Sequence, residues 1–170
     1  MEIITNSKSI LNQLIDLIKT MNKDEYSSQL KVLNKSTIGQ HVRHIIEFYI
    51  EFEKGYDLGT IAYDNRTRNL EFEVNQEFVI TELQNIIKRL TNYNLEKDLL
   101  LKSNYGLTHS DAVKSKTSSR REIVYILDHA VHHLAIIKIA IQVGYSHIQL
   151  NTNLGIAPST LRNNKQLCAQ

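Results

Sequence analysis

Apolar residues recur at helical spacing in four stretches of this chain. Ile10, Leu14, Leu17, Ile18 and Met21 form one stripe and predict a helix over 7–21. Ile38, Val42, Ile45, Phe48, Tyr49 and Phe52 predict a second over 37–55, with Ser36 placed to cap its start and Gly55 and Gly59 to end it. Val79, Leu83, Ile86, Ile87 and Leu90 mark a third over 75–91. The fourth, over 120–143, carries Tyr125, Ile126, Ala130, Ile136, Ile137, Ala140 and Val143. Ser119 and Glu122 have the spacing of a capping box at its start, and Gly144 stands where a helix end favours a left-handed residue. Four such stripes on one chain predict an all-α fold, a four-helix bundle built as a single domain over 1–170, with 145–170 as a C-terminal tail.

Between the stripes the pattern changes. A polar stretch, Asn22 to Gln29, separates the first two helices. Residues 57–74 hold the string Tyr63-Asp64-Asn65-Arg66-Thr67-Arg68. Residues 92–118 include Leu99-Leu100-Leu101 and the alternating Ala112 to Lys116, which suggest a short β-hairpin between helices three and four. Connections this long in a small domain often carry function. In the tail, Ile156 to Thr160 reads as an ordered turn.

Composition narrows the function classes. The 170 residues are 42% hydrophobic and 22% charged, ordinary for a globular domain, and contain one proline, so long helices run unbroken. A net charge of +2 gives no electrostatic footprint for nucleic acid or an anionic membrane. No uninterrupted apolar run of membrane-spanning length and no N-terminal signal pattern stand in the sequence, so the expected compartment is the cytoplasm. The single cysteine, Cys168, excludes a disulfide framework within the chain and reads as an incidental tail residue.

The candidate chemistry lies in histidines. His129 and His133 are one turn apart, so their side chains share a helix face, and that face is the apolar one. Two adjacent imidazoles among apolar residues need partners for four nitrogens, and a metal ion would satisfy one on each. A third imidazole from the second helix would complete a set that leaves a position open, as catalytic metal sites do. Periodicity leaves His41 and His44 both eligible, with His41 the deeper in the apolar arc. His132, His109 and His147 read as edge or surface residues.

The stretch Gly39-Gln40-His41-Val42-Arg43-His44-Ile45-Ile46-Glu47 resembles the second-helix motif of the DinB/YfiT-like family, and Asp128-His129-Ala130-Val131-His132-His133-Leu134 is similar to its last bundle helix. The resemblance spans most of the chain. It implies that His44, rather than His41, joins His129 and His133 as metal ligands, with Glu47 as the acid that follows. One departure stands out: Leu134-Ala135-Ile136 occupies the place where many members have a basic residue, a glycine and a glutamine. The family includes thiol S-transferases that use low-molecular-weight thiols, and members regarded as hydrolases. The resemblance therefore implies a divalent-metal-dependent enzyme that activates a thiol or water, acting on a small-molecule substrate. Zn²⁺ or Ni²⁺ suits imidazole ligands, with Mn²⁺ or Fe²⁺ as further candidates.

Other residues are eligible for supporting roles. Tyr63, Asp64, Arg66 and Arg68 are candidates for substrate binding, since arginines hold carboxylates and phosphates by forked hydrogen bonds; the bland alternative is an Asp64–Arg66 or Asp64–Arg68 pair on a solvated loop. Glu47 and Asp128 are candidates to orient the metal ligands. Neither the Glu-x-x-His of di-iron bundles, nor H-E-x-x-H, nor G-x-S-x-G occurs. The rival reading is a non-catalytic stress-response or ligand-binding bundle with a structural metal or none. A homodimer is compatible with either reading.

Overall fold

Each of the four stripes becomes a long helix in the computed structural model, which describes residues 2–104, 106 and 112–167. They are α1 (Glu2–Lys19), α3 (Ile38–Leu58), α5 (Gln76–Arg89) and α6 (Ser119–Gly144). Short helices α2 (Lys23–Ser27) and α4 (Glu71–Val74) lie in the connections, and α7 (Pro158–Leu167) lies in the tail. Three strands, β1 (Thr60–Ile61), β2 (Asp98–Ser103) and β3 (Val113–Ser118), make one small sheet in the order β1-β2-β3. The architecture is the expected helical bundle. The expected hairpin is β2 and β3, paired antiparallel with Leu101 opposite Ser115, and β1 adds a parallel edge through Thr60 and Leu100.

In the bundle α3 packs on α6, and α1 packs on both α5 and α6. Leu14, Ile18, Ile45, Phe52, Leu83, Ile86, Ile137 and Ile141 are fully enclosed between them. Each such side chain contributes about 2 kcal/mol by leaving water. By length and composition α6 is apolar enough to cross a membrane. Here its Ile123, Ile126, Leu134, Ile137 and Ile141 lie in the bundle core.

Several boundaries differ from the sequence expectation, each for a local reason. The cap of α3 is Thr37, whose hydroxyl accepts from the Gln40 N–H while the Gln40 side chain accepts from Thr37 N–H. Ser36 is engaged elsewhere, donating to the Leu33 carbonyl at 2.7 Å. Gly55 does not end α3. It is buried within the helix where Ile61 crosses, and the chain turns at Gly59, in the left-handed region at φ 75°. The cap of α6 is Ser118, because β3 runs straight into the helix; Ser119 is wholly buried, its backbone N–H donating to the Lys97 carbonyl. Gly144 is the last residue of α6 and is not left-handed; the cap is Tyr145 at φ −141°. The polar stretch after α1 contains α2, opened by a capping box between Asn22 and Glu25. The expected turn near Pro158 is the start of α7, where proline's missing N–H costs nothing. His109 and Cys168 lie outside the described residues.

Gly39 shows how tightly α3 meets its neighbours. A Cβ there would run into the Glu73 carbonyl oxygen of α4 and stand 2.9 Å from the Tyr26 ring of α2. Tyr26 is itself fixed, donating to the Phe72 carbonyl at 2.7 Å. Gly39→Ala is expected to destabilise the protein by about 2 kcal/mol, the usual effect of overpacking. Urea unfolding checks this, and an unchanged midpoint would show that α4 can move aside.

Candidate metal centre

The α3–α6 contact sets the site. His41, His44 and Phe48 stand on α3, and His129 and His133 on α6. Where the helices cross, His44, His129 and His133 meet. Their ring centroids are 4.8 Å apart for His44 and His129, 4.7 Å for His44 and His133, and 4.6 Å for His129 and His133. One ring nitrogen from each lies within 4.8 Å of the others, and all three residues are half-buried. No carboxylate or thiol joins this group among the described residues.

The nitrogens are chemically ready for a cation. Burial lowers the pKa of His44 to about 4, aided by His129 and by the positive charges of Arg66 and Arg43. Burial also lowers His129 to about 4, with His132 and Arg66 adding to the effect. His133, surrounded by the other imidazoles, is lowered to about 3, again chiefly by burial. Near pH 7 all three are therefore neutral and each keeps a lone pair. His129 Nε2 is buried without a hydrogen-bond partner from the protein. An orphaned buried nitrogen costs about 1–3 kcal/mol, and a cation within this group would satisfy it. The donor set fits a divalent ion that accepts nitrogen ligands.

These shifts have a consequence for stability. The folded pKa of each imidazole lies below its ordinary 6.5, so as pH falls the unfolded chain takes up protons first. The metal-free fold should lose stability from pH 6.5 down to about 4, with the His133 contribution continuing to about 3. Thermal melting across that window should show a steeper decline for the native chain than for a His44→Asn, His129→Asn, His133→Asn triple variant. Parallel curves would show that these histidines protonate equally in both states.

One wall of the site is aromatic. Phe48 stacks on His129 with centroids 4.1 Å apart and an interplanar angle of 16°. Tyr63 stacks on Phe48 at 4.8 Å and 10°. The Tyr63 hydroxyl then donates to Glu122 Oε2 at 3.0 Å, and Thr117 donates to Oε1 at 2.6 Å. Glu122 is therefore not the capping-box acid of its sequence context. It is fully buried beneath the aromatic wall, with Arg121 Nη1 as a further donor at 3.0 Å.

The 57–74 connection contributes unevenly. Tyr63 is buried in the wall, while Arg66 lies over the Phe48 ring at 5.6 Å and donates to the Tyr63 carbonyl at 3.2 Å. The pairing expected inside the loop does not form. Arg66 Nε faces Glu47 Oε2 at 3.4 Å, and Asp64 accepts the Asn104 N–H at 2.8 Å. Asp64 and Arg68 are exposed. Glu47 is buried between Arg66 and Arg43 (3.6 Å), and accepts the Asn69 N–H. Asp128 is exposed on α6 one residue before His129, and His132 is exposed with its ring edge-on to His133. His147 lies at the surface beside Glu25.

Phe48 and Glu122 are the residues whose roles at the site the sequence left unread, and His41, eligible there as a ligand, takes a different place. For Glu122 a signal was present: Glu122, Ile126, His129 and His133 recur at four, seven and eleven residues, which is one helix face. His41 touches His133, Nδ1 to Nδ1 at 3.0 Å, without belonging to the cluster.

Comparison with known proteins bears on the fold. The crystal structure of a DinB-like protein, YjoA from Bacillus subtilis, superposes with a TM-score of 0.62 at 18% identity, covering 91% of this chain and 99% of that one. The chain has the DinB-like fold. No family model matches this chain. Among curated proteins, "FK506-binding protein 5" of Rhizopus delemar is 28% identical over 163 residues, 92% of this chain. The chain spans 37% of the length of that protein.

Proposed function

We propose that the protein is a divalent-metal-dependent enzyme that holds one ion on His44, His129 and His133 and activates a small thiol or a water molecule. The observation that carries this reading is the donor set: three neutral imidazoles gathered from two helices, with no fourth protein donor in the group among the described residues. Structural metal sites are usually closed by a fourth protein ligand, whereas catalytic sites keep a position free. When bound, the ion would supply Lewis acidity that lowers the pKa of a thiol or water.

The chain's own residues account for the rest. The imidazoles bring no negative charge of their own, so nothing in the ligand set offsets the cation. Phe48 and Tyr63 keep water from one side of His129 and hold its ring in plane. Arg66, steadied by Glu47 and the Tyr63 carbonyl, places a positive charge near His44 and His129, where it would orient an anionic group of the substrate. A small thiol bearing a carboxylate suits that arrangement. Zn²⁺ or Ni²⁺ is the favoured ion for a nitrogen set, ahead of Mn²⁺ and Fe²⁺.

The reading is tested by loading metal-free protein with each ion and assaying thiol transfer to an electrophile beside ester and amide hydrolysis. One activity should depend on the ion and vanish in His133→Ala. An ion that binds without exchangeable water and supports neither reaction would make the site structural and overturn the enzyme reading.

A further inference from the structure

A line of hydrogen bonds runs from the cluster back into the loop before α3. His133 Nδ1 lies 3.0 Å from His41 Nδ1, His41 Nε2 lies 3.3 Å from Ser36 Oγ, and Ser36 Oγ lies 2.7 Å from the Leu33 carbonyl oxygen. The far end decides every proton along it. A carbonyl can only accept, so Ser36 gives its one hydroxyl proton to Leu33, and its oxygen is left to accept from His41. His41 therefore carries its proton on Nε2, and its Nδ1 is bare. The contact between the two imidazoles then needs the proton on His133 Nδ1, which leaves the His133 lone pair on Nε2.

We propose that His41 and Ser36 are positioning residues that hold His133 in the Nδ1–H tautomer, so that Nε2 is the nitrogen it offers to a divalent ion. This rests on the reading of His44, His129 and His133 as the metal ligands. The loop is built to present the anchor. Asn34 and Lys35 are both left-handed, at φ 51° and 68°, and they turn the chain so that Leu30 N–H reaches the Ser36 carbonyl and Lys35 N–H reaches the Leu30 carbonyl. Metal-bound histidines commonly donate their second N–H to a fixed acceptor, and losing that acceptor weakens metal binding about 10–100-fold.

The test uses the full, metal-free chain with ¹⁵N-labelled histidine at neutral pH. The His133 ring should show a protonated Nδ1 and a bare Nε2. In His41→Leu that pattern should relax toward the Nε2–H form, and Zn²⁺ affinity should fall about 10–100-fold. Ser36→Ala should move both readouts in the same direction by less, and His41→Asn, whose amide can accept and donate, should restore part of the affinity. A native His133 protonated on Nε2 would overturn the proposal whether or not the variants fold. So would a Zn²⁺ loss in His41→Leu as complete as in His44→Ala, which would make His41 a ligand. Absence of Zn²⁺ binding by the native chain would overturn the ligand reading itself, and the same titration distinguishes that failure from a wrong tautomer.

Discussion

Alanine at His44 should empty the site. The native chain, dialysed against Zn²⁺ or Ni²⁺ and then against metal-free buffer, is expected to retain about one ion, as a single three-imidazole site requires. His44→Ala, and likewise His129→Ala, should retain almost none. On the proposed ligand set each removes a direct ligand, an effect larger than the roughly 10–100-fold weakening that follows loss of a supporting group. His41→Ala should still fill at saturating metal and differ only in affinity. Elemental analysis gives the stoichiometry and calorimetric titration the affinity. The contrast between positions 41 and 44 is the informative part, because both imidazoles lie against His133. Full retention in His44→Ala would remove His44 from the ligand set, and a native chain that binds nothing would mean that these rings are core polar groups of a non-catalytic bundle.

That contrast also shows where sequence reasoning ran out. The i, i+4 spacing places His129 and His133 on one face of α6 whatever the rest of the chain does. Their distance from α3 depends on how far the two helices slide along each other, and no local pattern encodes that register. Periodicity thus favoured His41 slightly, the resemblance to known bundles favoured His44, and the packed helices put His44 within the cluster and His41 beside it. The same division runs through the fold. Long apolar stripes and the alternating hairpin strands were readable, since each repeats one local rule. The caps of α3 and α6 were each misplaced by one residue, because tertiary partners decided them: Ser36 turned to Leu33 and His41, and Ser119 was buried against Lys97. The 57–74 connection was the least legible part. It is located by β1 pairing with β2, a contact between residues about forty apart in the chain, and that pairing brings Tyr63 onto Phe48.

Glu122 carries the second large expectation, because it ties that connection to the bundle. Its carboxylate is wholly buried and accepts from Tyr63, Thr117 and Arg121. Glu122→Ala would leave the buried Tyr63 hydroxyl without an acceptor and open a void under the aromatic wall. Each unsatisfied buried group costs about 1–3 kcal/mol, and removing one partner of a buried charged network costs about 3–5 kcal/mol. Half of the Arg121 side chain faces solvent and can rehydrate, so a loss of about 4 kcal/mol by urea unfolding is expected, at the middle of that range. Glu122→Gln keeps the shape and one acceptor, and should lose roughly half as much. The functional consequence separates this residue from an ordinary core position. With Tyr63 released, Phe48 loses its stacking partner, and His129 loses the rigid surface that orders its ring. At temperatures where Glu122→Ala is still folded, its affinity for Zn²⁺ should therefore fall in step with a weakened aromatic circular-dichroism signal. Unchanged affinity beside a lost aromatic signal would show that the α3–α6 contact alone orients His129.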